Sequence, residues 1–237
     1  MPAMLILAVD TSGSSGGAAL VRNDTVLAER TGSSQEPCAS RIFGDVSEVM
    51  RASGAAMGEV DLFAVAAGPG SFTGLRVGLT AAKAWAEVWG KPIAPVSGLE
   101  AVAAMATEPS RVLAPVLDAR RGQLYAAQYT RQGDLTDGLE RATEDVVLAP
   151  GELLDWLAEN GGELPLIVTP SPEAALALVS AKGSRSLRLE TVSDALAGMI
   201  GRLGWRKALR GETVDALHLN ANYVRRSDAE AKWKEPV

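Results

Sequence analysis

Twice in this chain an apolar run closes on an aspartate and breaks into a tight turn. Residues 4–10 read MLILAVD before TSGSSGG, and residues 111–118 read RVLAPVLD before Ala119-Arg120-Arg121-Gly122. An apolar run bounded by turn residues reads as a buried strand. After the first, GAALVR (17–22) and TVLAERT (25–31) predict an antiparallel meander, turned at Asn23-Asp24. A helix follows, with Ile42, Phe43, Val46, Val49 and Met50 on one face, Arg41, Asp45, Glu48 and Arg51 on the other, and Gly54 as its stop. Residues 61–67 predict a buried strand running into GPGSFTG, then a helix from about Phe72 to Trp89, stopped by Gly90 and Pro92. A short strand at 92–96 and a short helix Gly98–Met105 close the first set.

The second set repeats the order. Strands are predicted at 111–118, 123–130, near 146–148, at 165–169 and at 187–192. Helices are predicted over Pro150–Asn160, 172–182 and Ser193 to about Arg210. A hairpin followed by alternating strands and helices, met twice, suggests internal duplication. It divides the chain into a lobe at 1–106 and a lobe at 107–237, with the C-terminal segment free to pack back on the first.

Composition removes several kinds of function. The chain has 237 residues, 47% of them hydrophobic, enough for a sizeable core. Its net charge of −6 makes a poor general docking face for nucleic acid, while leaving room for a local basic patch. Cys38 and His218 are the only cysteine and histidine. An intrachain disulfide is therefore excluded, and a Cys/His zinc site lacks its ligands. A Ser/His/Asp mechanism would rest on His218 alone. The start, MPAMLILAVD, lacks the positive segment of a signal peptide, and no apolar run is long enough to predict a membrane span.

Three places can carry chemistry or contact. The turn Gly68-Pro69-Gly70-Ser71-Phe72-Thr73-Gly74 stands between a strand and a helix, where free N–H groups and the helix dipole favour an anion. Ser71 or Thr73 can cap that helix. The turn lacks the Lys-Ser/Thr of a Walker A loop, and a purely structural turn has the same composition. Asp10-Thr11-Ser12-Gly13-Ser14-Ser15-Gly16-Gly17 can hold a phosphate and its metal ion, or be an ordinary hairpin turn. Asp118 is the matching acid of the second lobe.

The third place is helix 72–89. At roughly 100° per residue, apolar and small side chains fill about 220° of its circumference, more than one sheet face covers. Leu75, Leu79, Ala82 and Ala86 form one strip. Val77, Ala81, Ala84 and Val88 form another, with Gly74, Gly78 and Trp85 between. The excess must meet a neighbouring helix or another chain. Arg202, Arg206, Lys207 and Arg210 share a helix face that reads as solvated before it reads as an RNA site, and Arg225 and Arg226 precede a charged tail.

The run "AVDTS", then "GPGSFTGLRVG", "PVLDARRGQLYAAQY" and "NYVRRSDAEAKWK", resembles the bacterial TsaB (YeaZ) family over nearly the whole chain. The resemblance implies a two-lobed α/β fold of the actin, heat-shock-chaperone and sugar-kinase type, a duplicated ribonuclease-H-like fold. It implies a cytoplasmic, non-catalytic subunit that pairs with the paralogue TsaD, with the ATPase TsaE completing the set. Together these place threonylcarbamoyl on the adenosine beside the anticodon of tRNAs reading codons that begin with A. Contact with tRNA would come only through the complex, and a homodimer would form when the subunit is alone. The catalytic paralogue needs an HxxxH pair on its first-lobe helix. The corresponding stretch here is Cys38-Ala39-Ser40-Arg41-Ile42, without histidine. No metal or tightly bound cofactor is therefore expected, with weak ATP or ADP binding left to Asp10, Thr11, Ser12, Gly68, Gly70 and Ser71. The expected partner face is Ile42, Val46, Val49, Gly74, Val77, Gly78, Ala81 and Trp85. The alternative is an ATP-binding enzyme of the sugar-kinase type, or a glycoprotease-like peptidase.

Overall fold

Two sheets organise the molecule, and both are built in the same order. The computed structural model describes residues 3–13, 15–32, 38–132, 138–160 and 164–224. The first sheet comprises β1 (Leu5–Asp10), β2 (Gly17–Arg22), β3 (Thr25–Thr31), β4 (Leu62–Gly68) and β5 (Ile93–Ser97), in spatial order β3-β2-β1-β4-β5. The second has β6 (Val112–Asp118), β7 (Leu124–Ala126), β8 (Tyr129–Arg131), β9 (Leu139–Arg141), β10 (Val146–Leu148), β11 (Leu166–Thr169) and β12 (Arg188–Thr191). Its main path runs β10-β7-β6-β11-β12. In each sheet a hairpin-forming first strand sits at the centre and the later strands join it in parallel. The duplication suggested by element order is thus repeated in the strand order.

Side-chain alternation along β1 divides the core of the first lobe. Leu5, Leu7 and Val9 face α1 (Cys38–Ser53) and α2 (Phe72–Trp89), packing with Ile42, Val46, Val49, Leu75 and Leu79. Ile6 and Ala8 face the opposite way, into a cluster with Leu99 and Val102 of α3 (Gly98–Ala104) and with Ile200 and Leu203 of α6 (Ala197–Leu209). That cluster continues into the second sheet through Leu113, Tyr129 and Leu166. The far face of the second sheet is covered by α4 (Pro150–Asn160) and α5 (Pro172–Ala181), through Leu153, Leu157 and Leu178.

The last helix, α6, therefore packs on the first sheet. It approaches closely because both surfaces are small. A Cβ on Gly204 would stand 2.7 Å from the Ala64 Cβ, and one on Gly201 would stand 2.5 Å from Val21 Cγ2. Polar groups fix its direction. Arg202 makes two 3.0 Å bonds to the Asp24 carboxylate in the β2–β3 turn, and Glu29 of β3 accepts from Gly198 N at 2.7 Å.

Two expectations for the second lobe need correction. Residues 123–130 were expected as one strand, but β7 and β8 pair with opposite ends of β6 and belong to different parts of the sheet. The interruption at Ala127-Gln128 falls opposite Ala114-Pro115, where proline has no N–H to give. Gln128 instead bonds sideways, its N–H to Thr143 Oγ1 and its carbonyl to Ala142 N. Strand β9 was not anticipated, because its three residues, Leu-Glu-Arg, carry no alternation long enough to read.

Close seating of α6 gives a direct test. Gly204→Val overpacks the contact with Ala64 and should lower stability by about 1–3 kcal/mol. Chemical denaturation of variant and parent measures this, and an unchanged midpoint would mean that the helix is not held so tightly.

Candidate functional site

β1 and β4 are parallel neighbours, so the turns leaving their C-terminal ends meet. Asp10 is the last residue of β1 and is buried; its Oδ1 accepts from Ser12 N at 2.8 Å and Ser12 Oγ at 2.6 Å. Burial raises its pKa above the ordinary carboxylate value, and the two Ser12 bonds oppose that shift. Thr11 Oγ1 donates to Gly74 O at 2.7 Å, and Ser71 N donates to Ser12 O at 2.8 Å. Ser71 caps α2, its Oγ accepting from Gly74 N at 3.2 Å.

The glycines make this contact possible. A Cβ on Gly74 would collide with Thr11 O, one on Gly78 with Thr11 Oγ1, and one on Gly70 would lie 2.7 Å from the Ser12 Cβ and carbonyl oxygen. Gly68 alone among the glycines of this turn has a positive φ, 117°, and the Gly68-Pro69 peptide is cis. Structure thus brings together Asp10, Thr11, Ser12, Gly68, Gly70 and Ser71, the six residues assigned to a phosphate. It also gives several of their donors partners within the chain, among them Thr11 Oγ1, Ser12 N, Ser12 Oγ and Ser71 N. Ser12 N, Ser71 N and Gly74 N, which an anion would need, point at Asp10, Ser12 and Ser71. Asp118 stays with its own hairpin, accepting from Arg120 N at 2.7 Å and pairing with the Arg120 guanidinium at 3.3 Å.

The expected partner face is also redrawn. Ile42, Val46 and Val49 are buried against the first sheet, so another chain cannot reach them. Gly74, Gly78 and Ala81 are likewise buried within this chain. Val77 and Trp85 are half-buried, and Trp85 lies between Phe63 of β4 and Phe43 of α1, with ring centroids 5.7 and 6.2 Å away. The neighbouring helix α1 therefore accounts for part of the wide apolar arc of α2. Still outside are Phe43, 62% exposed, with Val88, 74% exposed, and Ala84, and Phe72 and Trp89 at the two ends of α2. Phe43 belongs to the apolar set of α1, but its helix position lies beyond the reach of the sheet. A projection of one helix does not show where the other stops.

The remaining candidates have ordinary roles. His218 is exposed, and its Nδ1 lies 2.7 Å from Asp215 Oδ1. Arg202 and Arg206 face Asp24, Lys207 faces Glu100 and Glu212, and Arg210 faces Glu212, so this basic helix face is matched by carboxylates. Among the described residues no three His, Cys, Asp or Glu side chains gather to hold a metal ion. None of the helices they form is long and apolar enough to cross a membrane. Arg225 and Arg226 lie outside the described residues, as does the side chain of Cys38.

Fold and junction together define a duplicated, two-lobed α/β protein. Residues 34–197 match the family model described as "TsaD: tRNA N6-adenosine threonylcarbamoyltransferase". The Bacillus subtilis tRNA threonylcarbamoyladenosine biosynthesis protein TsaB is 32% identical over 243 residues, covering 98% of this chain and 99% of that protein. The Escherichia coli TsaB is 30% identical, with 98% of each chain covered. The chain belongs to the TsaB family of tRNA threonylcarbamoyladenosine biosynthesis proteins. The solved structure of YeaZ from Pseudomonas aeruginosa has the same fold, with a TM-score of 0.76, 24% identity, and 93% of this chain and 99% of that one covered.

Two outcomes follow from the junction. Because burial raises the folded-state pKa of Asp10, the folded protein retains this proton at pH values where the unfolded chain has released it. Its contribution to stability is fullest below the unfolded pKa of about 4 and falls as pH rises through the folded value. Asp10→Asn keeps an acceptor for Ser12 and should flatten that decline when denaturation midpoints are compared across pH. Gly70→Val should cost about 1–3 kcal/mol by crowding Ser12. The source of that cost is contact, not a left-handed backbone at Gly70, and calorimetric melting checks its size.

Proposed function

We propose that this chain is a non-catalytic subunit that supports a TsaD-type enzyme in forming threonylcarbamoyladenosine on tRNA. The observation that carries this reading is the self-closed junction. The place where a fold of this type would cradle a phosphate has Ser12 N, Ser71 N and Gly74 N bonded within the chain and its glycines pressed onto Thr11 and Ser12. A kinase-like or peptidase role has no comparable support, since Asp10 is buried and His218 stands on the surface with Asp215. The target in this reading is the adenosine beside the anticodon of tRNAs for codons that begin with A, in the cytoplasm, with a TsaE-type ATPase as the third component. tRNA is reached through the complex, and any ATP or ADP bound by this subunit alone is held weakly.

Contact with the TsaD-type protein is assigned to the exposed α1–α2 ridge formed by Phe43, Ala84 and Val88, with Val77 and Trp85 at its base. Large apolar side chains grouped on a surface mark an interaction site. Without the partner, the same ridge joins two copies in a two-fold dimer. Phe43→Asp and Val88→Glu alter exposed positions, so the fold should be retained within about 0.5 kcal/mol. Each should weaken capture of the TsaD-type protein of the same organism by about 30-fold or more, as expected at the centre of an interface. Full-strength pairing by both exposed variants, or ATP hydrolysis by the purified chain alone, would overturn the reading.

A further inference from the structure

A cavity of about 340 Å³ lies where the two lobes and α6 meet, at the C-terminal ends of the parallel strands β4 and β5. In open α/β sheets this is the edge at which small molecules are held. Its polar wall is assembled from five elements and the C-terminal segment: Ser97 of β5, Glu100 of α3, Tyr129 of β8, Arg141 of β9, Lys207 of α6, and Asn222. The junction described above does not use these side chains.

We propose that this cavity binds a small α-hydroxy or α-amino carboxylate. Lys207 is the first reason. Its side chain is only 20% exposed, yet the nearest carboxylates, Glu212 and Glu100, stand 3.5 and 3.9 Å away. A charge-assisted hydrogen bond is shorter, at about 2.8 Å, so this ammonium has room for a closer oxygen. The second reason is the balance of the wall. Two cations, Lys207 and Arg141, and one anion, Glu100, line it, and Arg141 is paired with Asp145, so Lys207 is left to meet an incoming carboxylate. Tyr129 adds a donor, since burial raises its pKa and keeps the hydroxyl protonated. Arg141 is held in place by Asp145 at 2.8 Å and meets Tyr129 Oη at 3.4 Å.

A carboxylate satisfies Lys207, and a hydroxyl or ammonium on the adjacent carbon donates to Glu100 beside it. That pairing of acceptor and donor on neighbouring atoms sets the chemical class. A nucleoside polyphosphate fits poorly, because its several negative charges would face Glu100, with Arg141 already paired with Asp145 and Lys207 close to Glu100 and Glu212. Asn222 ties the cavity to both lobes, its N–H donating to Ala67 O at 2.7 Å and its side-chain amide to Asp145 Oδ2 at 2.6 Å. Ligand binding would therefore be felt in the C-terminal segment as well as in the two sheets.

Amide NMR titration of the isotopically labelled full chain tests this, with L-lactate, L-serine, acetate and ADP as separate probes. L-Lactate or L-serine should give saturable shifts at millimolar concentration, centred on Ser97, Glu100, Tyr129 and Asn222. Acetate should bind about tenfold more weakly, lacking the donor for Glu100. Lys207→Gln should weaken the better ligand by about tenfold or more, the value of one hydrogen bond to a charged group. Tyr129→Phe keeps the ring packing and carries the same test if Lys207→Gln fails to fold. Absence of saturable shifts for both α-substituted acids overturns the proposal. So do shifts that both variants leave unchanged, or ADP binding at these amides more tightly than either acid. None of these outcomes depends on pairing with a TsaD-type protein, so the cavity and the partner role fail separately.

Discussion

The bond from Thr11 Oγ1 to Gly74 O, made across the ends of two parallel strands, sets the position of α2. Everything that α2 presents to solvent is aligned by it. The bond is buried, so the Thr11 hydroxyl has no water as an alternative partner, and breaking it leaves a buried donor unsatisfied. Gly74 and Gly78 make the approach possible, since any side chain at either position would lift the helix off the loop. A turn that could cradle an anion is therefore drawn onto its own helix.

Continuity between the lobes rests on a different device. One apolar cluster runs from Ile6 and Ala8 of the first sheet, through Leu99 and Val102 of α3, to Leu113 and Leu166 of the second. The last helix, α6, closes the same cluster from the first-lobe side with Ile200 and Leu203. Chain order and spatial order thus differ. Residues that come after the whole second sheet complete the core of the first. The basic side chains of α6 serve this seating. Arg202 and Arg206 share Asp24, whose carboxyl pKa is held low by the Arg202 hydrogen bond. An overall charge of −6 and a basic helix face are compatible because the carboxylates that match that face are this chain's own.

Legibility in the sequence followed the range of the interactions. Strands with long apolar runs, such as Leu5–Asp10 and Leu62–Gly68, and helices with clear stops, such as Phe72–Trp89 before Gly90, were readable because period and turn residues are local signals. The duplicated order was readable for the same reason. Strand β9 was not, being three residues whose pairing with β8 supplies the structure. The partner face was only half readable. Val77 and Val88 lie on the strip noted from helical projection, but the burial of Ala81 depends on where its neighbours come to rest. Composition placed the residues assigned to a phosphate in two turns that meet, but gave no sign that Ser71 N would bond to Ser12 O or Thr11 Oγ1 to Gly74 O. Nor did the sequence indicate the cavity, whose polar wall draws on residues from Ser97 to Asn222.

A docking face must hold its shape before the partner arrives, or part of the binding free energy is lost in ordering it. The α1–α2 ridge proposed above as that face is supported from its underside. Trp85 is wedged between Phe63 of the sheet and Phe43 of the adjacent helix, so the outward phenyl ring rests on a stack of aromatic side chains that reaches the core. At the other end of α2 the Ser71 cap and the Thr11 bond remove the fraying to which a helix terminus is otherwise prone. A phosphate entering the junction would have to displace the Ser71–Ser12 and Thr11–Gly74 bonds, and with them the start of the helix. The few atoms that join the two turns are therefore also the ones that fix the start of the helix behind the proposed face.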